Sequence, residues 1–306
     1  MTQPPSLVPI VSGVYAWVQP DGSWWINNAG VVLGDDGPLL IDTCATEART
    51  RRFLAAVDEV TGGAPVHLAV NTHMHGDHTY GNSLLPAGTP ILGHQATRDG
   101  VIGDIILANT PPIWSPSPDW GAVGLRPPTV LVHDSLTVYA GTRPVLLRHP
   151  GHPAHTAGDV VVHLPDDGVL FTGDLIFHEV TPLVLMGSID GALRSLDWLA
   201  DFGAAYVVPG HGALIDHAGF GAVLDAHRRY YRFVQETARA GRSNGLGPLD
   251  AARQADLGDF ARWPDGERLV LNLHRAYAEL DGREPDLLVA FMDAVAYHGG
   301  PLRCAV

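Results

Sequence analysis

Three histidines and a carboxylate stand within six positions in His73-Met74-His75-Gly76-Asp77-His78, directly after the mostly apolar run 66–70. A strand that ends in such a loop delivers its side chains to one region of space. Packed there without a cation, these groups would leave buried donors or acceptors unpaired, at roughly 1–3 kcal/mol each. Imidazole and carboxylate together suit zinc, iron or manganese. The chain is therefore expected to organise itself around a metal site whose first ligands come from Asn71 to Tyr80.

Three later places offer the remaining ligands. His152 and His155 lie just before an apolar strand pattern, Thr172-Gly173-Asp174 closes another with an acid, and Pro209-Gly210-His211-Gly212 closes a third with a histidine. Each is a strand-loop junction, where layered α/β folds place functional groups. A lone histidine at a strand end is ordinarily just a satisfied polar residue. Three matching junctions beside one dense cluster argue for a shared site.

The pattern of the chain agrees with that scaffold. Strands are expected at 13–19, 24–33 and 38–42, with a turn at Pro20-Asp21-Gly22 and a hairpin turn at 34–37. Thr43 is a candidate cap for an amphipathic helix over 47–60. A short strand, 66–71, feeds the histidine loop, and helices are expected from His78 to Leu85 and over 96–108, with a strand at 90–93 between them. The stretch 110–128 breaks the rhythm with six prolines and two tryptophans, Trp114 and Trp120. A connection that long inside a compact domain is functional or disordered, and the tryptophans favour a loop that packs. Strands follow at 129–133, 136–140, 145–149, 159–164, 169–171 and 206–208, with a helix over 191–202. Beyond about His217 only helical patterns remain, at 220–240, 249–255, 267–280 and 286–297, with 241–248 as a linker.

Composition removes several functions. The 306 residues carry a formal net charge of −14, which opposes nucleic-acid binding and attachment to an anionic membrane. All 19 basic residues are arginines, so lysine has no mechanistic role. Cys44 and Cys304 are too few for a disulfide framework, and the N-terminus has no apolar leader pattern, so a cytoplasmic location is expected. No apolar run is long enough for a bilayer.

Taken in order, His-x-His-x-Asp-His at 73–78, His-Thr-x-Gly-Asp at 155–159, Thr-Gly-Asp at 172–174 and Pro-Gly-His-Gly at 209–212 resemble the ordered motifs of the metallo-β-lactamase superfamily. The resemblance covers about residues 10 to 215. It implies a four-layer αββα sandwich of two similar halves over 1–215, to which the chain adds a helical C-terminal module, 216–306, covering the active site. It also implies two divalent metal ions, zinc foremost, with manganese or iron as alternatives. By motif position, His73, His75 and His155 would hold one ion, Asp77, His78 and His211 the second, and Asp174 would bridge them. His152 competes for the third position, but only His155 is followed by the family's Thr-x-Gly. Asp77 would orient the attacking water and shuttle its proton.

The acid at Thr172-Gly173-Asp174 is similar to the glyoxalase II, lactonase and thioesterase branches. The expected activity is hydrolysis of a thioester, ester or lactone carbonyl. The expected partner is a small-molecule acyl substrate, free or linked to a carrier or coenzyme A; a homodimer is compatible with such a chain. Trp24, Trp25, Tyr80, Trp114, Trp120 and Phe177 are candidate pocket walls, and a pocket of that kind suits a bulky hydrophobic acyl group. Core packing is the competing reading for each of them. Thr181 to Ser188 and the helical tail also resemble actinobacterial superfamily members, some of which are cyclase-thioesterases of aromatic polyketide pathways. The alternatives are a di-iron oxidoreductase, a β-lactamase, and a non-catalytic metal-binding protein. His94 reads as structural first and as a metal ligand second, His149 and His152 as structural first and in contact with substrate second, and Arg228, Arg229 and Arg232 as a solvated face first and a phosphate contact second.

Overall fold

The protein's structure, a computed structural model, describes residues 4–19 and 21–306. It begins with β1 (Ser6–Val11), β2 (Val14–Val18), β3 (Ala29–Val32), β4 (Leu39–Ile41), α1 (Glu47–Thr61), β5 (Leu68–Val70), α2 (Gly76–Thr79), β6 (Ile91–His94) and α3 (Gln95–Ile102). Next come β7 (Trp114–Ser115), β8 (Val130–Val132), β9 (Ser135–Ala140), β10 (Arg143–Arg148), β11 (Val161–Leu164), β12 (Val169–His178), α4 (Ile189–Ala200), β13 (Tyr206–Gly212) and β14 (Ile215–Asp216). The tail holds α5 (His217–Ser243), α6 (Pro248–Gln254), α7 (Arg268–Asp281), α8 (Leu287–His298) and β15 (Leu302–Arg303).

Two sheets form the centre, in the orders β1-β2-β3-β4-β5-β6-β8 and β14-β13-β12-β11-β10-β9. In each, an antiparallel meander leads into parallel strands: β1 to β4 then β4 to β8, and β9 to β12 then β12 with β13. Strand alternation explains how both faces of the first sheet are buried. Leu39, Ile41, Leu68 and Val70 face the second sheet, against Val162, Leu164 and Phe171. Their neighbours Leu40 and Ala69 face outward onto Phe53 and Val57 of α1. The outer face of the second sheet, with Leu170, Ile176 and Val207, is covered by α4, α5 and α7. Each of these large side chains contributes roughly 1.5–3 kcal/mol on burial. The result is the expected four-layer αββα sandwich with a helical C-terminal region.

Four expectations need correction. The segment 24–33 is a strand only from Ala29; before that the backbone turns, with Trp25 at φ 66°. Asn27 and Asn28 explain why: their amides donate to the carbonyls of Thr43, Pro209 and Gly212, replacing ladder bonds. A strand precedes the first one expected, at 13–19: β1, whose Pro9 is tolerated because the strand lies at the sheet edge. Thr46, not Thr43, caps α1 by accepting from the Arg49 N–H; the Thr43 hydroxyl donates to the His78 carbonyl. The helix expected over 96–108 stops at Ile102, before Gly103. Of the turn at 20–22, Pro20 lies outside the described residues, and Gly22 closes it with a bond to the Gln19 carbonyl.

One buried titratable group ties the tail to the second sheet. His227 on α5 is 1% exposed; its Nδ1–H donates to the Val223 carbonyl and its Nε2 accepts the Phe177 N–H at 3.1 Å. Burial pushes the imidazole from 6.5 down to about 4, outweighing the Val223 bond. Between those values the unfolded chain binds a proton that the folded chain refuses. Stability is therefore complete above pH 6.5 and is lost as pH falls towards 4, by about 3 kcal/mol in all. His227→Gln should flatten the pH dependence of denaturant unfolding by that amount, and an unchanged slope would refute the account.

Candidate metal centre

Every candidate ligand stands at the mouth of the sandwich, and most are almost fully buried. From the first half, β5 ends at Val70 and the loop into α2 delivers His73, His75, Asp77 and His78. From the second half, the loop before β11 supplies His155, β12 supplies Asp174 and β13 supplies His211. β12 runs on to His178 rather than ending at Phe171, but its pairing with β13 slips on either side of Gly173. Gly173 has φ 51°, and a Cβ there would lie 2.7 Å from Thr72. That slip aims Asp174 inward.

Ligand atoms of His73, His75, His155 and Asp174 lie within 4.8 Å of one another, as do those of Asp77, His78 and His211. Asp174 reaches both groups. Its Oδ2 is 3.7 Å from His73 Nε2, 3.4 Å from His155 Nε2 and 3.3 Å from His211 Nε2; its Oδ1 is 3.2 Å from His78 Nε2. Asp77 Oδ2 is 3.3 Å from His211 Nε2.

The outward partners fix the tautomers. Carbonyl oxygens only accept, so His155 Nδ1 must donate to Leu183 at 2.6 Å and His211 Nδ1 to Gly22 at 2.9 Å. The Asp42 carboxylate accepts from His78 Nδ1 at 2.8 Å. Thr72 gives its hydroxyl hydrogen to Asp42, so its oxygen accepts from His73 Nδ1 at 3.0 Å. All four rings therefore turn Nε2 inward; it is bare on neutral His73 and His155, while on His78 and His211 the neighbouring carboxylates favour a proton that a cation would displace. His73 Nε2 and His155 Nε2 both face His75 Nδ1, at 3.1 and 2.9 Å, and a single proton on that atom can serve only one of them.

Charge follows the same geometry. Burial drives His73 well below its usual range and His155 down to about 3, so both are neutral and available as ligands. Burial also opposes a charge on His211, but Asp174 and then Asp77 overcome it and hold the ring at about 9. Burial opposes ionisation of Asp77 too, yet His78 and His211 bring its carboxyl down to about 2.

These residues fit divalent cations. His78 Nε2 and Asp174 Oδ1 are buried without a hydrogen-bond partner; their 3.2 Å separation is not aligned as a bond. Converging imidazole nitrogens, an ionised carboxylate between them and buried polar atoms without partners are a cation's environment.

His152 stands apart, bonded to the Gly191 carbonyl and Ser195. Trp24, Trp25, Tyr80, Trp114 and Trp120 form one buried cluster, with Trp25 at 4.7 Å from Trp120 and 6.1 Å from Tyr80. The Tyr80 hydroxyl donates to Asp104, so it is committed rather than free for a substrate. Phe177 stacks on His211, ring centroids 5.1 Å apart and 8° between planes. His94 and His149 stack on each other away from the centre, Arg228 pairs with Asp197 and Asp225, and Arg229 and Arg232 are exposed. Asp42 was not singled out from the sequence. Its signal is an acid closing the apolar strand Leu39-Leu40-Ile41, the pattern that marks Asp174.

Among the described residues, no helix is long and apolar enough to cross a membrane. The human acyl-coenzyme A thioesterase MBLAC2 is 29% identical over 224 residues, covering 62% of this chain and 78% of that protein. A hydroxyacylglutathione hydrolase of Brucella anthropi is 28% identical, covering 82% and 87%. In fold, the chain is similar to a metallo-beta-lactamase from Pontibacter korlensis, with TM-score 0.59, 20% identity, and 75% of this chain and 99% of that one covered. The family model for the metallo-beta-lactamase superfamily matches residues 22–211, a span that takes in most of both sheets and all seven clustered side chains. With fold, ligand order and family match in agreement, the chain belongs to the metallo-beta-lactamase superfamily and is a metal-dependent hydrolase.

Proposed function

We propose that the protein is a binuclear zinc hydrolase that cleaves the carbonyl of a bulky, hydrophobic thioester, with esters and lactones as related substrates. The observation that carries this reading is Asp174, one carboxylate within 3.7 Å of histidines from both groups. His73, His75 and His155 would hold one ion, Asp77, His78 and His211 the other, and Asp174 both. Bound there, the ions supply Lewis acidity, which acidifies water and polarises a carbonyl.

The chain's own residues do the rest. Asp77 is ionised at neutral pH, so it accepts a hydrogen bond and orients water for attack. A carboxyl held near 2 is a poor proton store, which favours orientation over shuttling. The burial of the centre excludes bulk water and strengthens each electrostatic contact. The cluster from Trp24 to Trp120, with Phe177, would wall the acyl group, and the helical segment 216–306 would close over it. The thioesterase and acylglutathione-hydrolase relatives support a thiol-linked acyl substrate. A cyclase-thioesterase acting on an aromatic polyketide is the more specific form of this reading.

Metal-loaded protein should turn over an aromatic acyl-coenzyme A thioester, lose that activity to a chelator, and regain it with about two equivalents of zinc. β-Lactam hydrolysis should be negligible beside it. Inactivity towards thioester, lactone and β-lactam alike would overturn the hydrolase reading. Dominant β-lactam turnover would replace it by the lactamase alternative.

A further inference from the structure

The helix α7 carries a row of polar side chains where a core helix is ordinarily apolar. Arg268, Asn272 and Arg275 are buried, at 2%, 0% and 6% exposure, and with Glu279 their spacing of four, three and four places them on one face. Opposite that face runs the irregular segment between β12 and α4, whose backbone has no strand ladder to join. Its polar groups must find partners elsewhere, and α7 supplies them. Arg268 donates to the Thr181 carbonyl at 3.0 Å. Asn272 donates to the Pro182 carbonyl at 2.8 Å and accepts the Val184 N–H at 2.6 Å. Arg275 donates to the Leu185 carbonyl at 2.9 Å, and Glu279 accepts the Ile189 N–H at 2.8 Å. Leu183, in the middle of that clamp, is the residue whose carbonyl accepts from His155.

The start of the same helix grips a second loop. The Ser23 hydroxyl donates to Asp265 and the Trp24 indole to Glu267 at 2.6 Å, directly after the turn whose Gly22 carbonyl accepts from His211. Arg268 touches both loops. Its guanidinium lies 4.7 Å from the Trp24 ring and 5.5 Å from Phe177, which stacks on His211, while the same group bonds Thr181 and pairs with Asp265 at 2.8 Å.

We infer that α7 is a brace for the metal centre, in which Asn272 positions His155 through the Leu183 carbonyl and Arg268 positions both His155 and His211. The inference rests on the metal reading of the seven clustered residues. A ligand ring held by a fixed carbonyl presents its bare nitrogen in one direction, and loss of such outer partners costs roughly 10- to 100-fold in metal affinity. Because His155 and His211 belong to different groups, one helix in the C-terminal region would set the affinity of both ions.

The test is zinc titration against a chromogenic competitor, with metal content by elemental analysis, on the full chain and on Asn272→Leu and Arg268→Met. Asn272→Leu should weaken one of the two zinc ions by roughly 10- to 100-fold and leave the other near its original affinity. Arg268→Met should weaken both. Unfolding midpoints of the metal-free proteins separate positioning from loss of fold, because a merely structural role lowers the midpoint without splitting the two affinities. If Arg268→Met does not fold, Glu267→Ala meets the same measurement, with the loss expected at one ion through Trp24 and Gly22. Folded variants that bind both ions as the original chain does would overturn the brace. An original chain that binds no zinc would instead overturn the metal reading, and the brace with it.

Discussion

Asp174→Ala is expected to lower thioester turnover by roughly 10²- to 10³-fold, the scale on which removal of one dedicated electrostatic group acts, and to reduce bound metal from two ions to one or none. The carboxylate stands between the two groups, and in its absence His78 and His211 face each other and Asp77 alone. Two dications held by neutral imidazoles and one acid would repel with little to screen them at this depth. The fold keeps room for this carboxylate, because a Cβ at Gly210 would lie 1.9 Å from Asp174 Oδ1. Asp174→Asn separates charge from shape: it should keep the fold and lose the second ion. Elemental analysis and turnover on the same preparations decide the matter. Two ions retained with turnover within tenfold of the original would remove Asp174 from the centre.

The legible part of this molecule was local. The cluster from His73 to His78 and the junctions at His155, Asp174 and His211 could be read because each lies directly beside an apolar strand pattern. The strands Leu39-Leu40-Ile41 and Leu68-Ala69-Val70 could be read because they are apolar throughout, as strands buried on both faces must be, while their place in a two-sheet sandwich was implied by the resemblance of the ligand motifs. What could not be read depended on distant partners. Trp24 to Asn28 has strand-like composition, but Asn28 bonds carbonyls about 180 residues away, at Pro209 and Gly212. The helical pattern at 267–280 carries no sign that Arg268, Asn272 and Arg275 are buried; they are, because their acceptors lie 87 to 90 residues earlier. The side chain of Asp42 serves a loop 30 residues on, and periodicity carries no trace of that.

Asp42→Ala is therefore the second large effect, and it should appear in stability as well as in metal binding. Asp42 is 3% exposed and sits at φ 60°. Its Oδ1 accepts the Thr72 N–H at 2.7 Å, and its Oδ2 accepts the Thr72 hydroxyl at 2.7 Å and His78 Nδ1 at 2.8 Å. Through Thr72 it also sets His73, since the hydroxyl is free to accept from that ring only while it donates to Asp42. One carboxylate thus orients one histidine in each metal group. Removing it strands a backbone N–H, a hydroxyl and an imidazole N–H away from water. Breaking a buried charged contact of this kind costs roughly 3–5 kcal/mol, and each freed ring loses roughly 10- to 100-fold in metal affinity. Asp42→Asn divides the two consequences. An amide oxygen can still accept from Thr72, but its NH₂ faces a nitrogen that must donate, so His78 should flip or lose its proton. Unfolding of the metal-free protein should then recover towards the original while zinc affinity stays low. A metal-free Asp42→Ala protein as stable as the original, binding two zinc ions with undiminished affinity, would show that Asp42 only fills space behind the centre.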